Sequence, residues 1–242
     1  MRGNAEVYLS QREVAVVAAD GAMWRQDADT LERVLGVLVE HLRAPGTPRT
    51  LRIWLSADLC RPVRMAPIAG TRSRQERARV AQLTAVAESR LTPPCRVLLD
   101  AGGGDDLAVV VEETTLAAIE QALSAVRRRA ASIRPWWAEA LASALRANAS
   151  LRAFGAWEGG ALTMLVGEGR TFSAAQTLYP VDGADAAAAA FARAQVSAMV
   201  APDDALAVTL DWSLAPDLDA RRADDTAIAV FTPWVRRLGA LS

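Results

Sequence analysis

Short apolar runs, alternating or continuous, open the chain. Val7 and Leu9 alternate with polar neighbours, Ser10, Gln11 and Arg12 follow, and Val14 to Val17 is apolar throughout. That spacing predicts a β-hairpin. Asp20-Gly21 is a turn signal, and Met23-Trp24 starts a third strand. Leu31, Val34, Leu35, Leu38 and Leu42 then recur at helical spacing, with Asp29 or Thr30 as the cap. The segment from Ala44 to Pro48, with two prolines and a glycine, ends that helix.

Strands are expected next at Leu51–Ser56 and at Val63–Pro67, the second bounded by prolines. Ser73–Arg90 reads as a polar, Arg-rich helix with a thin stripe at Val80, Leu83 and Ala87. Arg96–Leu99 and Leu107–Val111 read as strands around the glycine-rich loop Asp100–Asp106. Thr114 or Thr115 begins a helix with Leu116, Ile119, Leu123 and Val126 inward, closed by Arg127, Arg128 and Arg129, which suit the negative end of its dipole. A short strand at Ser132–Arg134 passes through Pro135 into a helix carrying Trp137, Leu141 and Leu145.

A second unit repeats the rhythm. Phe154–Trp157, Leu162–Val166 and Phe172–Leu178 read as consecutive strands joined at Glu158-Gly159-Gly160 and Gly167-Glu168-Gly169. The alanine-rich stretch Ala184–Val200 is a helix, and Leu206–Leu210 a strand. Ala227–Leu238 is apolar around Pro233 and takes no assignment. Each half opens β-β-β-α, a mixed α/β pattern that points to internal duplication.

Composition narrows the chemistry. All 27 basic residues are arginine, so Schiff-base catalysis, pyridoxal phosphate anchoring and a Walker A lysine are excluded. The single histidine, His41, and the two cysteines, Cys60 and Cys95, cannot assemble an ordinary zinc site. A net charge of −1 argues against nucleic acid as partner. The longest uncharged stretch, Thr171–Val181, falls short of the ~18 apolar residues that span a bilayer. MRGNAEVYLSQREV lacks the apolar region of a signal peptide. A soluble cytoplasmic chain, or a soluble piece of a longer one, is expected.

Other features carry little. His41 lies beside the Leu38–Leu42 stripe as a partly exposed helix residue. No Gly-x-Ser-x-Gly elbow is present, and Asp100–Asp106 matches no phosphate-loop spacing. The acidic pairs Asp105-Asp106, Glu112-Glu113, Asp203-Asp204 and Asp224-Asp225 read as solvated residues or caps, so no metal is expected. Arg72, Arg74, Arg77 and Arg79, with Arg127 to Arg129, make locally basic surfaces for anionic lipid or an acidic partner, or else a solvated face paired with Glu76 and Glu88.

The run LRIWLSADLCRPVRMAP, then RVLLD, LAVVVEETTLAAIEQALSAVRRRAASIRPWWAEALASAL and FGAWEGGALTMLVGEGRTFSAAQTL, resembles a branch of the actin-like superfamily. It is similar to the cytoplasmic proteins of type IV pilus and type II secretion machines, PilM and the cytoplasmic part of the L protein. A strand ending in Leu-Ser, the step Ile133-Arg134-Pro135-Trp136 and the turn Gly169-Arg170 carry the likeness, over roughly Glu6 to Val200. The resemblance implies an α/β, ribonuclease H-like two-lobed fold: residues 1–150 form one lobe with an inserted subdomain, and residues 151–242 a second, shortened lobe.

Actin-like ATPases hold phosphates on two hairpins, each with an Asp-x-Gly type of turn, whose glycine lets backbone N–H groups approach. Here the corresponding positions are degenerate. Ser10 and Arg12 stand at the first turn, without Asp or Gly. At the second turn Gly159 and Gly160 remain, but Asp does not. The resemblance therefore implies a scaffold without catalytic residues, cofactor or metal. Its partners would be inner-membrane pilus or secretion subunits and the assembly ATPase, a homodimer is admitted, and the membrane is met only through partners. Trp157, Arg170, Arg127 and Arg128 are the candidate contacts. The rival reading is a diverged actin-like or sugar-kinase-like enzyme, with Mg-ATP near Ser10–Arg12 and Glu158 in place of the lost Asp.

Overall fold

A computed structural model describes residues 5–18, 21–65, 74–99, 107–147, 149–168, 171–179, 183–201 and 204–209. In chain order the elements are β1 (Ala5–Leu9), β2 (Glu13–Val17), β3 (Met23–Asp27), α1 (Leu31–Leu42), β4 (Thr50–Leu55), β5 (Cys60–Arg64) and α2 (Arg74–Ser89). There follow β6 (Cys95–Leu99), β7 (Leu107–Glu112), α3 (Glu113–Ala125), β8 (Arg129–Pro135) and α4 (Trp136–Ala147). The chain then forms β9 (Ala153–Glu158), β10 (Ala161–Glu168), β11 (Thr171–Leu178), α5 (Gly183–Ser197) and β12 (Ala205–Thr209).

Three sheets result, ordered β3-β2-β1-β4-β8, β5-β7-β6 and β11-β10-β9-β12. The two larger ones are built alike. An antiparallel meander is followed by a helix, and the next strand lies parallel to the meander's first strand: β4 beside β1, and β12 beside β9. β8 extends the first sheet, again in parallel. The repeated β-β-β-α rhythm is thus matched in space.

Local chemistry explains the elements. Thr30 is the cap of α1, its side chain accepting from the Arg33 N–H at 3.4 Å, while Val34, Leu35, Leu38 and Leu42 turn inward. The continuous apolar run at 14–17 is fully buried, as is most of β7. The main core joins these residues to Trp136 and Trp137, which lie side by side yet are both buried. A smaller core under β9 and β10 is made by Ala153, Leu162, Met164, Ala187 and Phe191. The Phe191 ring fills the hollow at Gly155, where an added Cβ would come within 2.7 Å of it.

Four local readings change. The strand expected at Val63–Pro67 runs instead over Cys60–Arg64 and contains Pro62. β5 is an edge strand, where a missing N–H costs no ladder bond. On α2, Val80 and Leu83 face solvent, and Ala81 and Ala85 pack inward against Val63, Ala108 and Val110. The small residues let the helix lie close to the sheet. α3 begins at Glu113, one residue early, without a side-chain cap. It ends before Arg127, so the three arginines lie beyond its last turn and Arg129 opens β8. The segments 100–106 and 227–238, together with Pro67, Arg72, Gly169, Arg170, Asp203, Asp224 and Asp225, lie outside the described residues.

Candidate functional site

Three turns converge where the first and third sheets meet. They are the β1–β2 turn at Ser10–Arg12, the β4–β5 turn at Ser56–Leu59 and the β9–β10 turn at Gly159-Gly160. The hairpin closes with the Ser10 N–H on the Glu13 carbonyl at 2.9 Å, and the Ser10 hydroxyl accepts from the Arg12 N–H at 3.1 Å. The Ser56 N–H donates to the Leu9 carbonyl at 2.9 Å, which pins the second turn to the first.

Two carboxyls tie the turns together. Asp58 accepts from the Gln11 N–H at 2.9 Å and from the Ser56 hydroxyl. Glu158, at the end of β9, accepts from the Ala57 N–H at 3.2 Å. One acid thus spans the first two turns, and the other reaches across from the second large sheet. Gly159 completes the junction with φ of +55°. A Cβ there would lie 2.9 Å from the Ser10 Cβ and 3.1 Å from the Ser56 Oγ. The two hairpin turns are therefore in direct contact, and the space between them holds protein atoms.

Burial sets the electrostatics. Ser10 and Ser56 are fully buried, and Asp58 and Glu158 nearly so. Removal from water pushes the Asp58 carboxyl up to about 7, against the opposing pull of the Gln11 N–H, neighbouring backbone donors and the Arg12 charge. Glu158 is raised well above the carboxylate range, by burial first and by Asp58 second. Tyr8 and Cys60, buried at the same junction, are also raised, by burial and then by the two acids. A thiol in that state is a poor nucleophile. The cluster offers two carboxyls, two hydroxyls and a phenol, all shielded from solvent. Their arrangement suits holding turns together, in a space that the protein's own side chains already fill.

The degenerate positions Ser10, Arg12, Gly159 and Gly160 are thus brought to one place, while the candidate contacts are scattered. Trp157 is half-buried and packs within the smaller core. Arg127 is exposed, with φ of +55°. Arg128 folds back, donating to the Leu42 carbonyl at 3.2 Å and the Thr47 Oγ1 at 2.7 Å. Both arginines lie beside the start of β4, whereas the three turns lie past its end. A six-residue strand, roughly 20 Å, separates them. His41 stacks on Trp24 with ring centroids 4.0 Å apart, and burial lowers its pKa. Sequence reasoning missed Asp58. Its signal was a lone acid, two residues after Ser56, inside the otherwise apolar run from Ile53 to Cys60.

Among the described residues no cluster of three or more His, Cys, Asp or Glu could hold a metal, and no helix is long and apolar enough to cross a membrane.

The duplicated sheets with converging hairpins define an actin-like fold. Solved structures share it. A Bacteroides thetaiotaomicron protein of actin-like ATPase fold and unknown function has a TM-score of 0.58 at 7% identity, over 86% of this chain and 81% of that one. The cytoplasmic domain of EpsL, an inner-membrane component of the type II secretion system of Vibrio cholerae, gives 0.51 at 12% identity, over 98% and 94%. The PilM–PilN type IV pilus biogenesis complex gives 0.50 at 11% identity, over 74% and 62%. These identities make the likeness one of fold. No protein-family model matches the chain, and no curated protein matches it.

Proposed function

We propose that this chain is a non-enzymatic actin-like scaffold on the cytoplasmic face of a type IV pilus or type II secretion machine, where it links inner-membrane subunits to the assembly ATPase. The observation that carries the reading is the filled junction. Where an actin-like ATPase would grip phosphates between two hairpins, Gly159 packs on Ser10 and the carboxyls of Asp58 and Glu158 occupy the gap. The enclosed carboxyls take up the space that phosphate oxygens would need, and neither turn keeps the Asp-x-Gly pattern. A fold kept without its phosphate grip serves as a rigid body with surfaces for partners. The likeness to EpsL and PilM–PilN supports a secretion or pilus setting.

The test is affinity purification from the native host, with mass spectrometry of what co-purifies. Recovery of an inner-membrane secretion or pilus subunit, or of an assembly ATPase, is expected. Arg127→Glu, at an exposed position, then asks whether that corner is a contact. A bait that recovers none of these subunits overturns the reading.

A further inference from the structure

A second polar site lies away from the filled junction. β5 and β11 are outer strands of their sheets and approach each other, and the end of α2 closes a third side. The cleft between them has a volume of about 270 Å³. Arg61, Arg64, Arg90 and Glu88 line it, Arg90 and Glu88 both exposed, so three guanidinium groups face one carboxylate. Arg61 donates through Nη1 to the Ser89 carbonyl at 2.7 Å, and its guanidinium lies 5.5 Å from the centre of the Tyr179 ring. These contacts hold the side chain in place. The Nε atoms of Arg61 and Arg64 are both buried, without an acceptor among the described residues. Neither residue, nor Arg90, has a carboxylate within 4 Å among the described residues.

Arg61 and Arg64 thus sit without a carboxylate partner, and with Nε enclosed the outer Nη edge of the guanidinium is the fork that an incoming carboxylate would meet. The rest of the wall suits a peptide better than a free ion. Among the described strands, β11 pairs only with β10, so its other edge presents backbone groups along Ala175–Leu178. Leu178 and Tyr179 are exposed beside the arginines. We infer that this cleft docks an acidic segment of a protein partner, seating one or two carboxylates on Arg61, Arg64 and Arg90 with an apolar neighbour against Leu178 and Tyr179. The inference rests on the scaffold reading and gives it a contact surface.

The probe is a phage-displayed library of random dodecapeptides, panned on the full chain. Selected peptides are then measured by fluorescence anisotropy and hydrogen exchange. Enrichment in Asp and Glu next to an apolar residue is expected, with protection confined to β5, β11 and the end of α2. Arg64→Glu should weaken binding about tenfold or more, as should Asn and Gln replacements in the peptide against the wild-type protein. The peptide replacements keep the test sharp if Arg64→Glu fails to fold. Pools without acidic enrichment, equal binding by Arg64→Glu, or protection elsewhere overturn the site. So does Arg64-dependent binding of inorganic phosphate with no peptide selected, which would make it a phosphate site. Each of these leaves recovery of machine subunits from the host untouched, so failure here is distinct from failure of the scaffold reading.

Discussion

Beneath the five-stranded sheet the core is made of long aliphatic chains closed by Trp136 and Trp137. One face of the four-stranded sheet joins that same core through Phe154, Leu165 and Phe172, and its other face has a smaller core in which Leu162, Met164 and three alanines surround Phe191. Strand order and helix placement are shared, while the means of filling space are not. The first unit spreads its burial over many side chains, so each is one of several. The smaller core of the second centres on one ring seated in the hollow at Gly155. Topology can therefore survive a duplication while packing diverges, because strand order needs only period-two patterning and a core needs matched volumes.

The comparison breaks most readily at that ring. Phe191→Ala removes a buried aromatic and should cost about 3–5 kcal/mol. Hydrogen exchange should show lost protection in β9, β10 and β12 and retained protection in β1, β2 and β4. Equal loss in both sheets would mean that the two units unfold as one.

The turn at the junction comes next. Gly159→Ala adds a Cβ at positive φ, 2.9 Å from the Ser10 Cβ, and should cost about 2–4 kcal/mol in a denaturant titration. Gly160→Ala meets no neighbour within 4 Å and should cost only the backbone penalty, about 1 kcal/mol. Equal costs would remove the direct contact between the hairpins.

Asp58 gives the junction a pH dependence. Its folded pKa, about 7, lies above the usual carboxyl value, so the folded chain binds the extra proton. Stability is full below about pH 4 and falls as pH rises towards 7, with Glu158 adding in the same direction. Between pH 5 and pH 8 the loss attributable to Asp58 is on the order of 1–4 kcal/mol. Asp58→Asn should flatten the thermal-unfolding slope over that range. An unchanged slope would mean that the carboxyl is not protonated in the fold.

A modest effect is expected at the far end of β4. Arg128→Ala removes bonds to Leu42 and Thr47 and should cost about 1–2 kcal/mol, without altering the pH slope set at the junction. A changed slope would couple the two ends of the sheet.

Much of this fold was legible in the chain. Alternation marked the hairpins and helical spacing marked α1 and α3, because those elements bury one face strongly. The α2 stripe was misread because alanine counts as weakly apolar, and only packing shows that Ala81 and Ala85 face the sheet. β5 was shifted because Pro62 reads as a boundary until its place at a sheet edge is known. At the site, the loss of phosphate-loop residues was readable from Ser10 to Arg12. What stands in their place was half readable: Glu158 was a candidate and Asp58 was not. Asp58 and Glu158 are 100 residues apart, and only the fold brings their carboxyls to one junction.

Isothermal titration of Mg-ATP into the full chain tests the central claim, that the nucleotide cleft is filled by the protein's own turns and carboxyls. The account predicts no saturable heat at millimolar nucleotide, and no phosphate release, at pH values on either side of 7. A one-site curve with sub-millimolar Kd that is lost in Glu158→Gln would contradict it and return the chain to the nucleotide-binding members of its fold.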